Sequence, residues 1–205
     1  MKYVPYIPKK AVMIDAETLD KIPSSVVLSF AGLIFEPLGC KQQLVDADEK
    51  VIAPNINIVF EYTETQAHRS KSPSTIQWWA EQSAAARAGV FSDKLLRVDY
   101  ETAVRRFYDW LAYAKSQGAE AIFACSPRFD VGILEDMVRD VYGKDEKGEY
   151  YSLPIPFFAE IDVRSIRGFV FGKKKIDWGT KHEALGDCVR QSLEMQEAYA
   201  WRNSL

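Results

Sequence analysis

Apolar and polar positions along this chain follow a strand-like rhythm up to about residue 70 and a mostly helical one beyond it. Residues 11–14, Ala-Val-Met-Ile, form a short apolar run that ends on Asp15 and reads as a buried strand. Residues 26–35 are rich in β-branched and aromatic side chains and stop at the turn signal Glu36-Pro37-Leu38-Gly39. Residues 57–62 alternate as a third strand, and the polar stretch 40–54 between them is loop-like.

Ser72-Pro73-Ser74 then opens a helix, because serine caps and proline is tolerated in a first turn. It carries Ile76, Trp78 and Trp79 and an alanine-rich tail through Ala88, stopping near Gly89. Residues 100–116 repeat Ala103, Val104, Phe107, Leu111 and Ala114 at helical spacing, and Gly118 ends them. A fourth strand is expected over 121–125, a third helix over 129–142, a short fifth strand over 160–165 and a closing helix over 184–201. Residues 143–150 and the lysine run 173–175 read as exposed loops, and Pro154-Ile155-Pro156 as stiff extended chain. Antiparallel strands followed by αβ alternation predict an α/β fold, a mixed sheet with helices on its faces.

The 205 residues fit one domain, 1–205, and 47% hydrophobic and 27% charged residues suit a packed soluble protein. A net charge of −3 and a pI near 5.5 argue against a protein that coats nucleic acid, whose affinity comes from neutralising phosphates. They argue less against an enzyme that holds one strand end, where divalent metals supply positive charge locally. Cys40, Cys125 and Cys188 form no CxxC pair, so neither a zinc site nor a disulfide framework is indicated. With no apolar run long enough for a signal peptide or membrane span, a cytoplasmic protein is expected.

Three short motifs carry candidate chemistry. Asp15-Ala16-Glu17 places two carboxylates at i and i+2, on one face of a strand, where they repel unless a cation lies between them. Phe129-Asp130 puts an acid at a helix entrance just after the 121–125 strand, a position that a helix cap would also occupy. His182 and Asp187 stand five residues apart, about 140° around an ideal helix. They reach one point only if His182 lies on the preceding loop and Asp187 in the first helical turns. Gly186 between them implies close approach of another element. Each motif alone has an ordinary structural explanation. Together they bring carboxylates from two strand ends and a helix start to one sheet edge, and all-oxygen ligation favours two Mg²⁺ or Mn²⁺ ions. Such a pair can activate water against a phosphodiester, with the histidine taking the proton near neutral pH.

Asp15-x-Glu17, Phe129-Asp130 and His182-x4-Asp187, in this order and spacing, resemble the DnaQ-like (DEDDh) 3′→5′ exonuclease superfamily. Ser74-Thr75-Ile76-Gln77-Trp78-Trp79 and Asp162-Val163-Arg164-Ser165 are similar to its branch holding phage exonuclease A and the RNase AS exoribonucleases. The similarity runs from about Val12 to Tyr199. It implies a ribonuclease H-like fold with a central five-stranded mixed sheet. It further implies that Asp15 bridges two metals, Glu17 and Asp187 hold the water-side metal, Asp130 helps hold the other, and His182 is the general base. Ser126 departs from the asparagine that many relatives carry, which bears on contacts to the terminal nucleotide and not on the metal pair.

The implied activity is removal of 5′-mononucleotides from a single-stranded 3′ end. The 74–79 string tilts the substrate towards DNA, the RNase AS likeness towards RNA, and the latter also extends to a homodimer. A hydrolase of small nucleotides and a non-catalytic end-binding subunit are the readings of other classes. Ala16, Thr18, Leu19 and Phe129, with Met13 nearby, are expected to line the terminal-nucleotide pocket. Trp78 and Trp79 project about 100° apart, so one belongs to the core and the other is free to stack on a base. Lys181 is the better candidate for a phosphate contact, ahead of the scattered basics Arg69, Lys71 and 173–175. Asp162 reads as a partner of Arg164 or a backbone cap, and His68 as a surface residue.

Overall fold

A computed structural model describes residues 7–172 and 176–203. Its centre is a six-stranded mixed sheet in the order β4-β3-β2-β1-β5-β6. β1 (Lys10–Thr18) and β2 (Val27–Phe35) pair antiparallel with Asp15 opposite Ala31 and Glu17 opposite Ser29. β3 (Asn55–Phe60) continues the antiparallel side, while β5 (Ala119–Ala124) runs parallel to β1 on the other. Two short strands close the edges: β4 (Arg97–Val98), parallel to β3, and β6 (Glu160–Asp162), parallel to β5.

Both faces of the sheet are covered, which is why β1 and β2 are apolar almost throughout. Val12, Ile14 and Phe30 pack with Val104, Phe107 and Leu111 of α3 (Tyr100–Ser116) and Ile133, Leu134 and Met137 of α4 (Pro127–Tyr142). The alternate residues Ala11, Met13 and Leu33 face Cys188, Val189 and Met195 of α6 (Ala184–Asn203) and Val163 of α5 (Val163–Phe171). Gly32 on β2 is forced by this packing, since a Cβ there would lie 2.4 Å from the ring of Trp110. No helix among the described residues is long and apolar enough to cross a membrane.

Several boundaries differ from those predicted. Among the described residues the sheet has six strands, not five, because β4 is too short to show any alternation. The helix expected over 72–88 is two, α1 (Pro73–Ala80) and α2 (Ala84–Phe91), since Ser83 accepts a hydrogen bond from the Ala86 N–H and starts a new helix. The strand expected over 160–165 stops at Asp162, whose carboxylate caps α5 by accepting from the Ser165 N–H at 2.9 Å.

Candidate active site

Four carboxylates gather at the C-terminal ends of β1 and β5. Asp15 and Glu17 share a strand face by the two-residue pleat, and both are buried. Asp130 reaches them from the first turn of α4, where its carboxylate accepts from the Ala16 N–H at 3.2 Å and the Ser126 N–H at 3.3 Å. Asp187, in the first turn of α6, is buried as well. The loop placement required for His182 is found: it lies on the turn before α6, with a left-handed φ of 62°. Ligand atoms of Glu17, His182 and Asp187 all lie within 4.8 Å of one another, a spacing that suits one cation. A Cβ on Gly186 would sit 3.1 Å from the Glu183 carboxylate and 3.4 Å from the Thr180 carbonyl, so the turn packs directly on the helix start.

The electrostatics of this cluster are unfavourable by themselves. Burial pushes the Asp15 and Glu17 carboxyls well above their ordinary range, and the neighbouring carboxylates push them further. Burial also lifts Asp130 to about 7, against the opposing pull of its two backbone N–H donors and Arg164. Arg190 is the cation inside the cluster, in an ion pair with Asp187, and it opposes the rise at Glu17. Gln191 donates from Nε2 to Asp15 at 2.8 Å. The donor set of carboxylate oxygens with one imidazole, packed where like charges repel, fits divalent cations.

The residues expected to meet the terminal nucleotide fall into two groups. Trp78 is 38% exposed and its ring stands edge-to-face with His182 at 4.8 Å. Trp79 is buried, with its indole N–H donating to the Thr18 carbonyl at 2.8 Å. That bond ties α1 to the end of β1. Leu19 packs with Trp79, Val26 and Val90, while Phe129 leans on the core under α4. Ala16 and Thr18 are buried beside the acids, and Lys181 is exposed next to His182.

Arg69 departs from its predicted role. Its side chain is 2% exposed and ion-paired with Asp136 at 3.0 Å, so it has no reach to a phosphate. His68, exposed as expected, has an acid partner distant in sequence, Asp140, at 2.7 Å. The lysine run 173–175 lies outside the described residues. Sequence reasoning passed over Arg190 and Gln191; the available signal was their spacing of three and four residues from Asp187 on the same helix.

The sequence profile of the Rv2179c-like 3′-5′ exoribonuclease domain matches residues 10–199. The chain belongs to that family. It is thereby a member of the 3′–5′ exonuclease hydrolases, in the DnaQ-like superfamily. Within that grouping the chain is 25% identical over 214 residues to an exodeoxyribonuclease of Enterobacteria phage T4, a match spanning 94% of this chain and 90% of that protein. Among solved structures, exonuclease I from Methylocaldum szegediense superposes with a TM-score of 0.57 at 13% identity, covering 95% of this chain and 41% of that one. A zinc-bound E. coli exonuclease I in complex with single-stranded DNA gives 0.55 at 12%, covering 97% and 42%. The present chain thus spans less than half the length of those exonucleases, and at such identity the likeness is one of fold. In this chain that fold brings strand ends, first helical turns and the His182 turn to one sheet edge.

Proposed function

We propose that this protein is a two-metal 3′→5′ exonuclease that trims single-stranded DNA and releases 5′-mononucleotides. The observation that carries the reading is the buried convergence of Asp15, Glu17, Asp130 and Asp187 on one edge, with Arg190 the cation placed inside the cluster. Like charges so packed are stabilised when divalent cations join them. Asp15, Glu17 and Asp187 would hold one Mg²⁺ or Mn²⁺ ion, and Asp15 with Asp130 the other. When bound, such ions supply Lewis-acid stabilisation of the phosphoryl oxygens and lower the pKa of water.

The protein's own residues do the rest. His182, within ligand distance of Glu17 and Asp187, takes the proton of the attacking water at an imidazole nitrogen. Trp78 covers one side of His182 and offers an exposed aromatic edge to the terminal base. The backbone bonds at Asp130 and the Gln191 bond at Asp15 hold carboxylates in place before substrate arrives.

DNA is favoured because the match to the T4 exodeoxyribonuclease extends over nearly the whole of both chains. A second reading, an exoribonuclease, is supported by the description of the family itself. The test is a time course on matched 5′-labelled single-stranded DNA and RNA oligonucleotides with Mg²⁺ or Mn²⁺, using His182→Ala as control. A ladder shrinking from the 3′ end, lost in the control, is the expected result and names the sugar. Intact oligonucleotides of both kinds would sink the reading and point to dinucleotide substrates or to end binding without cleavage.

A further inference from the structure

We propose that Arg164 is a phosphate anchor, its guanidinium gripping a non-scissile phosphodiester of the bound strand on the Asp130 side of the acid cluster. This rests on the strand-trimming reading and adds a contact to it.

The placement follows from register. Asp162 of β6 pairs with Ala124 of β5, which pairs with Ile14 of β1, one residue before Asp15. α5 therefore begins level with the acids. Asp162 fixes its first turn through the bond to the Ser165 N–H. Arg164, in that turn, reaches back over the end of β5, with Nη2 3.7 Å from the Cys125 sulfur. The next residue, Ser126, donates its N–H to Asp130, and the positive charge of Arg164 is felt there.

Arg164 stands at this rim without a carboxylate partner. Arg69, Arg167 and Arg190 are buried, each with a carboxylate within 4.0 Å. Arg164 is exposed, and among the described residues no carboxylate lies that close to it. A thiol is a weak acceptor, so nearly all of a five-donor fork is left to solvent at the rim of an anionic site. A planar guanidinium matches two oxygens of one phosphate. The strand is the anion that a nuclease brings to this rim. Arg164 approaches from β6, the edge strand beyond β5, and so meets the strand on the Asp130 side of the cluster.

The test compares wild type, Arg164→Ala and Arg164→Lys in trimming a 5′-labelled single-stranded DNA oligonucleotide in Mg²⁺ across a salt series. Loss of one charge-assisted contact should raise KM about tenfold in the alanine variant. It should also flatten the log–log salt dependence by about 0.7, the value for one phosphate contact on a single strand. kcat should stay within about twofold, and the melting temperature should not move, as a solvent-facing side chain away from the core predicts. The lysine variant should recover the salt slope but not the full KM, since it keeps the charge and loses the fork. Wild-type KM and salt slope in Arg164→Ala overturn the proposal, and so does a fall in kcat at constant KM. If wild type trims no oligonucleotide, the exonuclease reading fails by itself. Anisotropy of the same labelled strand, with or without a flattened salt slope in Arg164→Ala, then decides the phosphate contact.

Discussion

Two polar clusters, each built on buried charge, flank the same sheet and end in opposite states. Around Arg69 every charge and donor is answered: the guanidinium donates to the Ser25 and Pro23 carbonyls, each at 2.8 Å, and to the Tyr100 hydroxyl at 2.7 Å. It also pairs with Asp136 at 3.0 Å and Asp140 at 3.6 Å and lies 5.2 Å from the Tyr100 ring centre. At the acid edge, four buried carboxylates face one guanidinium inside the cluster, that of Arg190, with Arg164 beyond it on the Asp130 side. Both clusters centre on buried charged groups, both mix residues distant in sequence, and both contain a histidine nearby. The difference is closure. A cluster that satisfies itself ties elements together, whereas one left with surplus negative charge is stable only with something added from solution.

The sharpest break of this contrast is Asp15→Asn. Removing a carboxylate that the proposed cations share should cost several kcal/mol of transition-state stabilisation, on the order of 10⁴ in kcat/KM. The metal-free protein should melt higher, because one buried repulsive charge has gone. A variant that kept full activity, or melted lower without metal, would place the acid edge with the scaffold. Next in size is Arg69→Met, which strands Asp136 and the two carbonyls. A loss of about 1–3 kcal/mol in urea unfolding is expected, mostly from carbonyls left without a donor, with kcat/KM of the surviving folded enzyme unchanged. A selective fall in kcat/KM there would mean that the Arg69 cluster serves the reaction.

The acid edge was legible in the chain because its geometry is local. Asp15 and Glu17 share a strand face by the pleat alone, and Asp130 follows its strand within a few residues. The Arg69 cluster was not legible, because a basic residue in a polar stretch looks solvated until Tyr100, Asp136 and Asp140 arrive from far along the chain. The same reason hid Arg190 and Gln191, whose direction depends on how α6 settles on β1. α5 was missed for a different cause. Val163, Ile166 and Val170 carry strand-like side chains, and only the Asp162 cap and packing against α6 make that segment helical. The polar face of α5 likewise contributes the buried Arg167–Glu194 pair at 3.0 Å, which no local pattern announces.

A smaller effect sharpens the comparison from within the acid edge. Gln191 gives Asp15 its side-chain donor, at 2.8 Å. Gln191→Ala should lower kcat/KM about 10–100-fold, the usual cost of losing a partner that orients a metal ligand. The Mg²⁺ concentration for half-maximal rate should rise with it, while Gln191→Glu, which adds a fifth carboxylate, should fare worse. A drop in melting temperature with unaltered Mg²⁺ dependence would reduce Gln191 to packing.

The gentlest probe is pH, and its sign separates the two clusters. Asp130 is lifted from 3.8 to about 7 by burial, and Asp15 and Glu17 are raised by burial and by their neighbours. Between about pH 4 and 7 the metal-free folded chain therefore holds protons that the unfolded chain has released. Stability falls with rising pH wherever the folded state binds more protons, at most about 1.4 kcal/mol per pH unit for each such group. Divalent cations displace those protons, so in excess Mg²⁺ the decline should flatten and the stabilisation by metal should grow towards pH 8. Arg69→Met should shift both curves down by a near-constant amount, since Asp140 is already ionised over this range, held below its ordinary range by His68, Tyr100 and Arg69 despite its burial. Urea midpoints from pH 4.5 to 8, with EDTA or with Mg²⁺, measure all of this. Parallel curves in the two conditions would mean that the four carboxylates share no cation, and the surplus charge at that edge would need another partner.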